Sequence, residues 1–200
     1  MCLSADESRQ ETEPSPRRPR ADSARNRERL IEAARAVFAK EGAEASLEEI
    51  ARSAQVGIGT LYRHFPSRLD LLEAVYRREV GQLAEAAPRL LAERPPFEAL
   101  REWMRLSIDY LAAKRVIAPA LAASAGAPQI YATSGGLITG AMTQLVERAV
   151  ERGEIRSDVD AGDLLRAMVG LSYGYTEPGW EASARRLVDI LMDGLRPQDG

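Results

Sequence analysis

The sequence predicts an all-α protein of about nine helices. Good helix formers, chiefly alanine, leucine, arginine and glutamate, dominate the 200 residues. Apolar residues recur at three- and four-residue steps, the spacing of one helix face. No stretch alternates apolar and polar residues as a half-buried strand would, and no repeat period is present.

Composition narrows the class. Apolar residues make up 45 % and charged residues 28 % of the chain, values ordinary for a globular protein. A chain of this length buries a core without metal or disulfide staples. The single cysteine, Cys2, excludes an internal disulfide. No apolar run approaches the roughly 20 residues of a membrane span. The first residues lack the apolar core of a signal peptide, so the expected compartment is the cytoplasm and no membrane is involved.

Residues 1–22 are rich in Pro, Ser, Arg and Glu and predict a disordered tail. Its "PRRPR" run (residues 16–20) suits either a phosphate-touching or a merely solvated arm. From Ala24 to Lys40, Leu30, Ile31, Ala34, Val37 and Phe38 form one helical face, and Gly42 supplies the stop. Ser46 with Glu49 reads as a capping box opening a short helix with Leu47, Ile50, Ala51 and Ala54 inward. After the break "AQVG", a third helix spans Ile58 to about Phe65. Pro66 ends it, and Ser67 with Asp70 forms a second capping box.

A longer helix is expected from Arg68 to about Ala87. Beyond "APRLLAERPP", "FEALREWMRLSIDYLAAK" is helical, and "VIAPALAASAGAP" is a separate, proline-broken segment. "SGGLITGAMTQLVERAVERGEI" reads as a helix ending at Gly153, "RSDVDAGDLLRAMVGLSYGYT" as a capped helix, and "EASARRLVDILMDGL" as the last. Gly136–Gly140 and Gly170–Gly174 are i, i+4 pairs, expected at close helix–helix contact or at helix entry. Domain bounds follow: a tail over 1–22, a helix-turn-helix unit over 23–69, and a second helical unit over 70–200.

Net charge is −3, but its distribution is uneven. Residues 17–69 carry eleven Lys/Arg against seven Asp/Glu, whereas residues 70–200 carry fifteen against nineteen. A basic segment on an acidic body is the asymmetry expected where part of a chain meets phosphate. Three short helices with a tight break between the second and third match a helix-turn-helix, whose last helix enters the DNA major groove. Leu61 and Phe65 are i, i+4 and anchor that helix on Leu30, Phe38 and Ile50. Ile58, Gly59, Thr60, Tyr62, Arg63 and His64 are left around the outward side. Gly59 permits close approach of the backbone, and Arg63 offers a forked donor for guanine or phosphate. Arg68, at the next helix start, suits a phosphate. Ser46, at the start of the preceding helix, completes the expected DNA-facing set.

"LIEAARAVFAKEGAEASLEEIARSAQVGIGTLYRHFPSRLDLLEAVY" resembles the DNA-binding domain of the TetR family of transcriptional regulators over about residues 25–76. "GIGTLYRHFPSRLDLL" is its most specific part. The resemblance implies a homodimer on a palindromic double-stranded DNA operator, commonly a repressor released by a small molecule. It implies that Thr60, Tyr62, His64 and Arg68 sit at the DNA. The end of the chain, with "DGLRP", loosely resembles the SbtR-like C-terminal domains.

In the second unit, Trp103, Met104, Tyr110, Tyr131, Met142 and Tyr173 serve either as plain core or as lining of the pocket that the family implies. A hydrophobic effector is the expectation for such a lining. Val159, Leu164, Leu165, Met168, Leu187, Ile190 and Leu191 form either a dimer seam or core within one subunit. No cofactor is called for. One histidine and one cysteine do not make a zinc site, and His64 has no nucleophile or orienting acid near it in sequence, so no enzyme is expected. The glycines of "SGGLITG" and "GLSYG" lack the Gly-Lys-Ser/Thr of a phosphate loop. The competing functions are a ligand-independent DNA binder or activator, and a helical carrier without DNA affinity.

Overall fold

The computed structural model describes residues 19–122, 124–173 and 179–197. These form eight α-helices and no strand: α1 (Pro19–Glu41), α2 (Leu47–Ser53), α3 (Ile58–His64), α4 (Arg68–Glu93), α5 (Pro96–Ala122), α6 (Ala127–Glu151), α7 (Ala161–Tyr173) and α8 (Trp180–Gly194). The all-α expectation holds. Eight helices among the described residues are close to the nine expected, the difference being that "VIAPALA" continues α5, with Pro119 inside the helix. Likewise Pro88 does not end α4, which runs six residues past Ala87. A helical proline removes one donor and crowds the preceding turn. In both helices apolar burial continues beyond it: Leu90 beyond Pro88, and Leu121 beyond Pro119, are buried. Tertiary packing offsets the local penalty.

The head of the molecule is α1–α3. α1 begins at Pro19, inside the stretch expected to be a tail, and Asp22 in its first turn pairs with Arg25. Arg17 and Arg18 lie outside the described residues. Gly42 ends α1 as expected. It stands at φ +89, in the left-handed region where a side chain is costly, and its N–H closes on the Phe38 carbonyl at 2.9 Å. Ser46 caps α2, its Oγ accepting from the Glu49 amide at 3.3 Å. The expected box is incomplete: the Glu49 carboxylate lies 3.4 Å from Arg52, and Glu48 instead takes the Ser46 hydroxyl at 2.9 Å. The box at Ser67 and Asp70 is complete, with the carboxylate accepting the Ser67 amide at 2.9 Å.

One continuous core links head and body. Leu30, Phe38, Ile50, Leu61 and Phe65 fill the head, and Leu71, Leu72, Val75 and Tyr76 carry that core along α4. α4 packs on α1 at one end and on α5 and α6 along its length. α8 is pinned to α5 by charge: Arg105 takes both carboxylate oxygens of Asp189, at 2.7 and 2.9 Å, and Arg101 Nε donates to one of them at 3.1 Å. Two donors on one carboxylate hold it below the usual carboxylate range, Arg105 contributing most.

Gly136, Gly140 and Gly170 do not mark close helix contacts within the subunit. A Cβ added at any of them would meet nothing within 4 Å. Gly174 lies outside the described residues.

Candidate functional site

α3 is a seven-residue helix held by its two apolar anchors. Leu61 is fully buried and Phe65 nearly so, as their i, i+4 spacing requires. The turn before it uses Gln55 rather than a glycine: Gln55 adopts φ +55, and Gly57 is an extended N-cap. Arg29 of α1 steadies that turn by donating to the Gln55 side-chain carbonyl at 2.7 Å. The outward side of α3 then falls where periodicity places it. Ile58 is 37 % and Tyr62 47 % exposed, and Gly59 and Arg63 are exposed. Thr60 is half-buried, and its Oγ1 accepts from Arg63 at 3.0 Å, so the two side chains present one polar unit. A Cβ on Gly59 would meet nothing of the protein within 4 Å. The fold itself does not require that glycine, which leaves it free to admit a partner's surface.

Two expected contacts sit differently. His64 is half-buried, not outward. It leans on Phe65, with ring centroids 6.4 Å apart, and lines a groove with Arg27, Asp70 and Arg77. Arg68 is engaged with the fold through one nitrogen. Its Nη1 donates to the carbonyls of Ala43, at 3.0 Å, and Ala45, closing α4 onto the α1–α2 loop. These orphan carbonyls lie beyond the end of α1, where a cation is the natural partner. Ser46 is exposed at the α2 N-terminus but engaged with Glu48 and the Glu49 amide. Sequence reading missed Arg27, whose guanidinium lies 5.2 Å from the centre of the Phe65 ring. A basic residue on the outer side of a basic helix was the only available signal.

The body encloses a second feature. A cavity of about 250 Å³ lies between α4, α5, α6 and α7, lined by Tyr76, Trp103, Tyr110, Tyr131, Lys114 and Met168 among others. Its walls are braced. Trp103 Nε1 donates to the Leu83 carbonyl at 2.8 Å, the Tyr131 hydroxyl to Ala118 at 3.1 Å, and the Tyr76 and Tyr110 hydroxyls meet at 3.2 Å. Burial, reinforced by Tyr76, pushes the Tyr110 phenol far above its ordinary range, so it stays neutral. A larger groove of about 510 Å³ shares Leu83 and Tyr110 but is lined by Glu79, Glu85, Arg89 and Asp109. The smaller cavity is the aromatic one.

Both halves of the chain match known families. Residues 30–75 match the bacterial regulatory proteins of the tetR family, and residues 95–197 match the SbtR-like C-terminal domain of transcriptional regulators. The crystal structure of the TetR transcriptional regulator SCO0520 from Streptomyces coelicolor is 47 % identical, covering 86 % of this chain and 99 % of that one, with a TM-score of 0.79.

The chain belongs to the TetR family of transcriptional regulators.

A TetR regulatory protein from Mycobacterium vanbaalenii is 34 % identical, covers 89 % of this chain and 99 % of that one, and superposes with a TM-score of 0.74. An HTH-type transcriptional regulator of Staphylococcus aureus, SAB2452, is 34 % identical over 93 residues, 46 % of this chain. The chain spans about half the length of the curated relatives it matches. As in other TetR-family regulators, α2 and α3 form the DNA-binding helix-turn-helix.

Within this TetR-family body, the expected pocket residues divide. Trp103, Tyr110 and Tyr131 line the cavity. Met104 and Met142 are fully buried core outside it, because their helix faces turn into the bundle. The side chain of Tyr173 lies outside the described residues. Tyr76, Ser107, Lys114 and Ser134 also line the cavity and were not singled out from sequence. Ser107 and Ser134 are the two buried polar residues among those described, a signal that a lone sequence hides.

The expected dimer residues divide too. Leu164 and Met168 are buried core of this subunit and present nothing to a partner. Val159, Leu165 and Leu191 are half-buried against that core and Leu187 is half-buried, whereas Ile190 is 67 % exposed. Among the described residues no helix is long and apolar enough to cross a membrane, and no cluster of His, Cys, Asp and Glu could hold a metal.

Proposed function

We propose that the chain is a homodimeric repressor released from a palindromic operator when a small, largely apolar molecule occupies the aromatic cavity. The observation that carries this reading is the reach of α4. Its first residue, Arg68, is bonded to the loop of the head, and Tyr76 and Leu83 further along are cavity wall. Its 26 residues extend about 39 Å at 1.5 Å per residue. Ion pairs add to the coupling, since Arg78 of α4 bonds to Glu28 and Glu32 of α1. A ligand that favours another tilt of α4 therefore acts on the position of α3. Two recognition helices fit successive major grooves only near 34–36 Å separation, so a small tilt lowers the DNA-competent population.

Thr60, Tyr62 and Arg63, with the open backbone at Gly59, meet the groove. Ile58 adds an apolar contact suited to a thymine methyl. Ser46, His64 and Arg68 position these elements and lie at the edge of the contact. The second subunit packs on the outward face of α8, around Leu187, Ile190 and Leu191.

Selection of bound duplexes from a random pool tests the reading. A palindromic consensus is expected, with loss of retardation in Tyr62→Ala at unchanged helicity. An asymmetric site, or binding that falls with salt equally for selected and random DNA, points instead to a ligand-independent, sequence-tolerant binder.

A further inference from the structure

Among the described residues Lys114 is the one charged residue lining the aromatic cavity. It is half-buried, and its ammonium sits 5.9 Å from the centre of the Tyr131 ring, itself a cavity wall. Among the described residues no aspartate or glutamate lines the cavity. None of the ion pairs among the described residues involves Lys114. The acidic residue nearest to it along α5, Asp109, is paired with Arg185 and lines the other groove. A ring face compensates a partly desolvated ammonium only in part. The cavity therefore holds uncompensated positive charge in apolar surroundings, where a counter-charge gains more than it would in water.

Size sets the second limit. About 250 Å³ lies below the roughly 300–1,000 Å³ that accommodates drug-sized ligands. Aromatic walls, Tyr76 edge-on to Tyr131 at 5.8 Å and the indole of Trp103, suit a flat ring.

We propose that the effector is a small aromatic monocarboxylate, its ring among Tyr76, Trp103 and Tyr131 and its carboxylate on the Lys114 ammonium. This rests on the reading of the cavity as the effector site. Ser134, buried at the cavity wall, supplies a hydroxyl to the same cavity. Ring compounds that carry an aminomethyl group, charged at neutral pH, are disfavoured there by like charge.

The test uses the full chain and three matched probe sets: benzoate, phenylacetate and 1-naphthoate, with the corresponding primary amides and aminomethyl compounds. Calorimetry gives affinities. Fluorescence of Trp103 in a Trp180→Phe background reports occupancy, because Trp103 lines the cavity and Trp180 does not. Acids are expected to bind about tenfold or more tighter than their amides, the worth of one charge-assisted hydrogen bond. Lys114→Met keeps the apolar stem and should erase that preference while leaving amide affinity as it was. Equal affinity of acid and amide, or an acid preference that survives in Lys114→Met, overturns the assignment of charge and leaves the cavity as effector site standing. If neither acids nor neutral probes perturb Trp103, the cavity reading falls as well.

Discussion

The guanidinium of Arg68 donates from one nitrogen to the backbone carbonyl of Ala45, and from the same nitrogen to that of Ala43. The contact joins the first turn of the long helix α4 to the loop that presents α2. An arginine that reads as a phosphate ligand in sequence is, in the folded chain, also a brace.

That brace separates two variants. Arg68→Ala leaves two carbonyls without their charged donor and should cost about 2 kcal/mol of stability, lowering the melting temperature. Tyr62→Ala removes an exposed side chain and should leave the melting temperature within error while weakening operator binding. Thermal melts run beside retardation gels check both. Equal melting temperatures for wild type and Arg68→Ala would count against the brace.

Glu79 and Asp189 give opposite pH signatures. Burial raises Glu79 above the ordinary glutamate range; its Oε1 has no hydrogen bond and lies 3.8 Å from Arg35. An acid raised in the fold favours the folded state most when protonated, and this stability is lost as pH rises through its folded pKa. Glu79→Gln should therefore raise the melting temperature at pH 7, with the gain shrinking toward pH 4. The Arg105 and Arg101 pairs hold Asp189 low, so its contribution is present above the ordinary aspartate range and is lost as pH falls through its depressed pKa. Asp189→Asn should thus destabilise at pH 7 and converge on wild type in acid. Denaturant melts from pH 3 to 7 decide both signs.

The seam residues predict a contrast in mass. Ile190→Glu, at a position 67 % exposed, should halve the mass seen by light scattering and keep the helical content. Met168→Ala, in the core, should cost about 2–5 kcal/mol through the cavity it leaves and retain the wild-type mass while folded. A monomeric wild-type chain at micromolar concentration would remove the proposed seam.

The capping box predicts a smaller effect. Asp70→Ala frees the Ser67 amide and removes a carboxylate from the α4 N-terminus. A loss of about 0.5–2 kcal/mol is expected by chemical denaturation.

The sequence by itself determined the helical class, the inward faces of α1–α3 and the outward set on α3 apart from His64. Those rest on local rules: Leu61 and Phe65 share a face because a helix repeats every 3.6 residues, and Gly42 ends α1 because its φ is positive. Only the tertiary structure decided the rest. Pro88 and Pro119 stay helical because burial on either side outweighs a lost donor, a balance invisible to local propensity. Arg68 turns inward because two orphan carbonyls lie 23 and 25 residues away in sequence. Met104 falls in the core while Tyr131 reaches the cavity, because apolar periodicity marks a buried face without saying whether a side chain or a void stands opposite. Lys114 gained meaning only when the fold set it over Tyr131, at the wall of a cavity lined by no acid among the described residues.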